Sequence, residues 1–444
     1  MMEVHSRRSF LSAAPFAAAL GLAGHGPALS APMTAAAGGV SVTDYGAMGD
    51  GKHPSAEAFQ QALDAAEAAG GGVVYVPPGV YVLERTPLVG SWVHLVGSGA
   101  ATVLRGQRTG THRGAALISN KGQQAPGYDG AHDWGISHVA IDSPDTNGIV
   151  VTHADRVYMG FIYGVEVYHH FLDIVGRNVL CEHLFLTGRS GTSTFQVDSV
   201  SSAQTIWDGE QPVAPLRDGT DAQNLVLRNS IITAAAGHAG DRPQHQVSIH
   251  FHGDEARGFL FSDLVLGGAA TGFYQDAGSA YHDLHLSNIR CLNPGRAVWL
   301  APGKTGQSRL TIRGLSHVPE APEGDAPPYR GLEIHGRTDL ILADIQLAGN
   351  SGGHTDIAVL VADSQQARLS GIHAQGQGGC GILLQDDDAN TGAPLDHVLV
   401  HHCLLQGFET GCNYTGDRKN TVQADGNLFV DVARPYAGTI DSSG

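Results

Sequence analysis

Aspartate, histidine and tyrosine side chains can carry protons in a reaction, and in this chain a set of them keeps a regular offset. Gln196 precedes Asp198 by two residues, as His250 precedes His252 and Tyr274 precedes Asp276. Asp173 stands before this group, and Glu333 and His335 repeat the offset after it. Residues two apart on an extended strand face the same side, so each pair would project together. Asp198 and Asp276 suit a glycoside hydrolase, which needs one protonated acid and one ionised base or nucleophile. The carboxyl groups then lie about 5 Å apart for retention or about 6.5–9.5 Å for inversion. His250 or His252 as base, with Tyr274 as acid, would instead suit removal of the proton α to a uronate carboxylate. For any single one of these residues, a hydrogen-bonded surface ladder is the alternative without chemistry.

Either chemistry requires elements that bring distant pairs side by side, and the segments carrying them recur. The first inward apolar residue of one strand per repeat falls at Ile149, Leu172, Phe195, Ile249, Phe273, Ala297, Leu332, Ala358, Ile382 and Cys412. Most steps are 23–30 residues, the exceptions being 54 and 35. Self-similarity at about 20–30 residues marks a solenoid in which each coil supplies similar short strands. Extra loops near 199–221 and 237–246 account for the longest step. Alternation then places one outward column at Val150, Asp173, Gln196, His250, Tyr274, Val298, Glu333, Val359, Leu383 and Asn413. A second runs through Thr152, Val175, Asp198, His252, Asp276, Leu300, His335, Val361, Gln385 and Thr415. Ionisable groups concentrate in the middle coils, beside the long loops. Asp198, His252 and Asp276 fall on three successive coils, which sets the two carboxylates near the upper end of the inverting range. Trp207, Asp208 and Glu210, in the longer loop, offer an aromatic sugar platform and carboxylates above the cleft.

Composition narrows the partners. Lys and Arg number 26 against 43 Asp and Glu in 444 residues, a formal charge of −17 that would repel a polyphosphate. With 42% hydrophobic residues and 60 glycines, the chain can bury a large core while turning often. Arg7-Arg8 ahead of the Ala/Leu-rich stretch 13–23 has the form of a bacterial twin-arginine export signal over residues 1–36, leaving 37–444 to fold. No later apolar run reaches the roughly 18 residues a membrane span needs. Cys181, Cys291, Cys380, Cys403 and Cys412 show no CxxC spacing; Cys403 and Cys412 are the candidates for a pair.

Residues 40–99 hold the most specific pattern. Asp44-Tyr-Gly-Ala-Met-Gly-Asp-Gly51 precedes a helical stretch with Ala56, Phe59, Leu63 and Ala66 on one face. Gly70-Gly-Gly, Val73-Val-Tyr-Val76, Pro77-Pro-Gly79 and Val80-Tyr81 follow. Gly46-x4-Gly51-Lys52 is most of a P-loop, but His53 stands where the metal-binding Ser or Thr should be. Taken whole, the segment resembles the N-terminal opening of the pectate-lyase-like superfamily, in its rhamnogalacturonase and tailspike branch. The resemblance implies an all-β, right-handed parallel β-helix, single-stranded, with a short N-terminal capping helix. Gln385-Asp-Asp-Asp388 and Ser143-Pro-Asp-Thr-Asn-Gly148 are similar to elements of polygalacturonase-like hydrolases. Their Gly-His-Gly and Arg-Ile-Lys elements are missing, as is the Asp-Pro-His-Asp signature of alginate epimerases, so those catalytic roles do not carry over.

The expectation is an exported carbohydrate-active enzyme, periplasmic or extracellular, that cleaves a poly- or oligosaccharide. Hydrolysis by the Asp carboxylates comes first. The alternatives are a lyase with His base and Tyr acid, and a glycan-binding adhesion module. The catalytic candidates are Asp198, His252, Asp276, His250 and Tyr274, and the substrate-binding candidates are Asp173, Gln196, Trp207, Asp208, Glu210, Glu333 and His335. No cofactor is required for hydrolysis. A lyase must neutralise the uronate carboxylate, and with no Arg or Lys in the outward patch that task would fall to Ca²⁺ on Asp173, Asp198 and Asp276. Neither nucleic acid nor stable membrane insertion is expected. The oligomeric state is open, a trimer being compatible with this fold.

Overall fold

Ala56, Phe59, Leu63 and Ala66 are all buried on one face of the helix Ala56–Ala68, which packs on the first strands and covers the N-terminal end of the core. Phe59 meets the edge of Tyr81 with ring centroids 5.5 Å apart. The computed structural model describes residues 39–107, 115–200, 206–208, 211–213, 215–236, 246–293, 295–303, 307–318, 329–349, 356–386, 394–416, 418–419 and 421–443. The export-signal segment 1–36 lies outside them.

Beyond the helix the chain winds as a right-handed parallel β-helix. Ile149 pairs with Leu172, Leu172 with Phe195, Phe195 with Ile249 and Ile249 with Phe273, each on the neighbouring coil. The ladder continues to Cys412 and Tyr436. Inward side chains from every coil merge into one continuous buried core, since a coil cannot bury its own apolar face and needs its neighbours to do so. Among the described residues, no helix is long and apolar enough to cross a membrane.

Two of the expected inward residues are displaced by one position. Val298, and not Ala297, pairs with Phe273 and Leu332; Val359, and not Ala358, pairs with Leu332 and Ile382. Ala297 and Ala358 are buried too, at the tight corner just before the inward residue. Neighbouring coils place glycine there. A Cβ on Gly272 would lie 2.6 Å from the Ala297 carbonyl oxygen, and one on Gly331 2.6 Å from that of Ala358. A small residue required by a crowded corner thus mimics a core residue in the sequence. Because a slip of one residue exchanges the two faces of a strand, Val298, Leu300, Val359 and Val361 point into the core. Trp299 and Leu360 take the outward column instead, Trp299 beside Tyr274 and Glu333.

The proposed Cys403–Cys412 pair does not form. All five cysteines are free thiols, and both of these pack in the apolar core as small side chains.

Candidate active site

Three consecutive coils build the centre of the site. Strands Ser193–Val197, Val247–Phe251 and Thr271–Gln275 lie in register, aligning Gln196, His250 and Tyr274. Each strand ends one residue before a chemically capable side chain: Asp198, His252 and Asp276. Phe195, Ile249 and Phe273 fill the interior behind them, with Phe251 stacked on Phe261 at 5.8 Å. The Tyr281 hydroxyl donates from inside to the carbonyls of Val197, at 3.1 Å, and His252, at 2.5 Å. Two of the three strand ends are thereby tied to one buried phenol. Gly253 then turns the chain with φ +107°, where a Cβ would come within 2.7 Å of the Ser199 nitrogen. Only glycine fits that conformation and that contact without strain.

The polar groups form a chain of contacts. Asp198 is 1% exposed. It accepts from Gln196 Nε2 at 3.0 Å and from the Ser199 backbone N–H at 2.7 Å, and His252 Nδ1 lies 3.1 Å away. The opposite ring nitrogen, His252 Nε2, is 3.6 Å from Asp276 Oδ2. His250 Nε2 lies 3.2 Å from Asp276 Oδ1, short but poorly aligned for a hydrogen bond. The Tyr274 hydroxyl also meets Asp276. His252 therefore separates the two carboxylates. With about 2 Å between ring nitrogens, the distances of 3.1 and 3.6 Å put the carboxyl oxygens no more than about 9 Å apart, under the upper limit of the inverting range. The imidazole fills that space, and Asp198 is sealed behind it.

These contacts set the protonation states. Burial disfavours charge on His252, but the Asp198 hydrogen bond and the Asp198, Asp276 and Asp173 carboxylates outweigh it and raise its pKa to about 9. Burial lowers that of His250, a shift Asp276 only partly offsets. Asp276 is held below the usual carboxylate range because His250, His252 and Tyr274 together outweigh its burial. Tyr274 is pushed up to about 12, first by burial and then by Asp276. Asp173 is raised well above its usual value, by burial and then by Asp198.

Not every candidate joins the centre. Asp173 aligns with Gln196 one coil away and is itself buried. Glu333 and His335 lie two coils beyond Tyr274, with His335 Nε2 at 3.4 Å from Glu333 Oε1. The Ca²⁺ set of Asp173, Asp198 and Asp276 does not converge. Among the described residues, no group of three or more His, Cys, Asp or Glu could hold a metal. In the loop at 199–221, Trp207 and Asp208 belong to the antiparallel hairpin Ile206–Asp208 and Gln211–Val213. Their side chains, Glu210 and the residues 237–245 lie outside the described residues. The base of the hairpin loop is pinned by the Ser199–Asp221 bridge and by Val200 N–H to Thr220 O at 2.8 Å. Deleting the hairpin tip 207–210 is expected to weaken substrate binding while leaving the Tm within about a degree, because the contacts at the base of the loop, Ser199–Asp221 and Val200–Thr220, are kept. Unchanged binding would remove the hairpin from the site.

Alternation missed two residues here. Trp299 was hidden by the slip at Ala297, and its ring lies 4.9 Å from that of Tyr274. Arg296 shares the parity of the inward Val298, yet it sits where the strand begins and swings outward over the Trp299 ring, 3.9 Å from its centroid. The outward patch thus carries a cation after all. The signal that would have found both is the crowded corner, where Ala297 is equivalent to glycine on other coils.

Fold and site together define a right-handed parallel β-helix with a cluster of titratable side chains on the outer face of its middle coils. Residues 39–162 match the family described as rhamnogalacturonase A/epimerase, pectate lyase-like. The chain is 35% identical over 133 residues to alginate lyase 7 of Azotobacter vinelandii, covering 28% of this chain and 15% of that protein. It is 30% identical over 231 residues to rhamnogalacturonase A of Emericella nidulans, covering 43% of each. The chain thus spans less than half the length of either relative. Among solved structures, PfbA, a surface adhesin of Streptococcus pneumoniae, aligns with a TM-score of 0.53 and 16% identity over 90% of this chain and 93% of that one. That likeness bears on the fold alone.

Proposed function

We propose that this protein cleaves a uronate-containing glycan by β-elimination at the Asp198–His252–Asp276–Tyr274 cluster. What carries the proposal is the position of Asp276, in contact with both a strong base and a weak acid. Neutral His252 takes the proton at C5 of the uronate, the electron pair forms the C4–C5 double bond, and the C4–O4 bond breaks. Tyr274, a phenol at any ordinary pH, gives its proton to the leaving oxygen. Asp276 then relays the proton from His252 back to the tyrosinate and restores both groups. Buried Asp198 holds the imidazole by Nδ1, leaving the looser Nε2 contact to exchange for substrate. Arg296 supplies the cation that offsets the uronate carboxylate. The 35% identity with an alginate lyase is in keeping with this chemistry.

Hydrolysis is the second possibility, supported by the ionised, accessible Asp276 and by the rhamnogalacturonase relative. The geometry favours it less, because its other carboxyl group, Asp198, is sealed behind His252. Incubation with a panel of alginates, pectates and rhamnogalacturonans separates the two. Ultraviolet absorbance from unsaturated uronate ends, rising in step with reducing ends, is expected. Reducing ends without that absorbance would overturn elimination in favour of hydrolysis, and no products at all would favour an adhesion module.

A further inference from the structure

Behind the strand that leads into Tyr274 and Asp276 lies a guanidinium that the proposed reaction does not use. Arg337 follows the strand Arg330–His335, two coils beyond Thr271–Gln275, and its side chain is fully buried. Among the described residues no carboxylate pairs with it; burial alone acts on its charge and lowers its pKa to about 9. Its Nε finds no acceptor. A buried charge without a counter-ion costs stability that an apolar side chain of similar volume would not.

Two donors of the guanidinium are nevertheless committed, and both reach back towards the site. Nη2 donates to Gln275 Oε1 at 2.7 Å and Nη1 to the Tyr281 carbonyl oxygen at 2.5 Å. Gln275 stands between Tyr274 and Asp276, with its amide buried inside the coil. A guanidinium only donates, so it turns the Gln275 oxygen towards itself and leaves Nε2 to donate to the Ser279 carbonyl at 2.8 Å. That bond spans the turn that holds Asp276, which the Ser279 N–H closes again on the Asp276 carbonyl at 3.2 Å. Tyr281 binds the Val197 and His252 carbonyls through its hydroxyl, and so anchors the strand ends that carry Asp198 and His252. One guanidinium thus grips the support of His252 with one arm and that of Asp276 with the other.

We propose that Arg337, which touches none of the reacting groups, is the positioning residue of this site: its fork fixes how far His252 stands from Asp276 and Tyr274. The His252 Nε2 to Asp276 Oδ2 contact of 3.6 Å is the distance at stake. The proposal rests on the elimination reading only for what that distance does in turnover, where it sets the proton's path from His252 to Asp276. The distance itself can be read without substrate. Burial opposes the charge on His252, and Asp198, Asp276 and Asp173 favour it, so a retreat of Asp276 makes the imidazolium easier to deprotonate.

Arg337→Met removes both donors and keeps most of the volume. It is expected to lower kcat on a cleaved polyuronate about 10- to 100-fold and to leave KM within about twofold, as misplacement of a reacting group does. The ring NMR signals of His252, identified by their loss in His252→Ala, should titrate at a lower pH than in the wild type. Tyr281→Phe, which removes only the hydroxyl, should move both readouts in the same direction by less. Adding it to Arg337→Met should cost less than the product of the two separate losses, because they share one path. Arg337→Lys keeps a charge without the fork and should resemble Arg337→Met, which also makes it the test where the methionine variant does not fold. A folded variant at position 337 whose kcat and His252 titration both match the wild type overturns the proposal. So does a loss confined to KM, a lower kcat with His252 titrating as before, or losses from Arg337→Met and Tyr281→Phe that multiply independently. Failure of both variants to fold assigns Arg337 to stability alone and overturns it too. A displaced His252 titration in a protein that forms no unsaturated product leaves Arg337 in its role and overturns elimination.

Discussion

His252→Ala is expected to lower turnover on a cleaved polyuronate by about 1000-fold, the middle of the range a positioned base contributes. The pH profile distinguishes this role from a structural one. Held near a pKa of about 9, His252 is protonated at neutral pH and must lose that proton before it can act as a base. The wild-type rate should therefore climb about tenfold per pH unit below 9 and level off above it. Tyr274, near 12, remains a proton donor across that range. Asp276→Asn removes one of the charges that raise the His252 pKa, so its residual activity should level off at a lower pH. Initial rates of unsaturated product formation from pH 6 to pH 10 check these expectations. A rate that instead falls steadily from acid to alkaline pH would exclude His252 as the base.

The second large effect is on stability. Asp198→Ala should destabilise the fold by about 3 kcal/mol, because it leaves the Ser199 N–H, the Gln196 amide and the charged His252 without their shared acceptor. Several degrees of Tm should be lost. The alternation pattern alone predicts a small loss, treating Asp198 as an exposed ladder residue; burial to 1% exposure reverses that expectation. The effect should depend on pH. A histidine whose pKa rises on folding, here from 6.5 to about 9, contributes stability that is fully present below 6.5 and lost as pH rises through about 9. The gap between wild type and Asp198→Ala should thus be widest in mildly acidic solution and narrow towards pH 10. Chemical denaturation at several pH values measures it, and a gap constant with pH would disconnect Asp198 from the charge on His252.

Much of this molecule is legible along the chain because a solenoid repeats itself. Each coil must present apolar residues inward at nearly the same interval, so Ile149, Leu172, Phe195, Ile249 and Phe273 disclose the coil, and two-residue alternation then places Gln196, His250 and Tyr274 on the outer face. Asp198, His252 and Asp276 follow from the same periodicity, which survives even the long insertion between the first two. The capping helix was equally plain, with Ala56, Phe59, Leu63 and Ala66 among its buried residues lying at helical spacing.

Tertiary packing decided the rest. Whether an alanine fills the core or a tight corner depends on the backbone of the adjacent coil, which no local pattern contains; at Ala297 and Ala358 this choice reversed the faces of two strands and concealed Trp299. Arg296 escapes the alternation rule because it lies at a strand start, where the chain is still turning. Above all, the sequence determined which groups share a column, while protonation depended on depth and on neighbours across coils. Asp198 sank behind His252, Asp276 came to lie among His250, His252 and Tyr274, and His252 was left charged between two carboxylates, because electrostatic interactions act through space rather than along the chain.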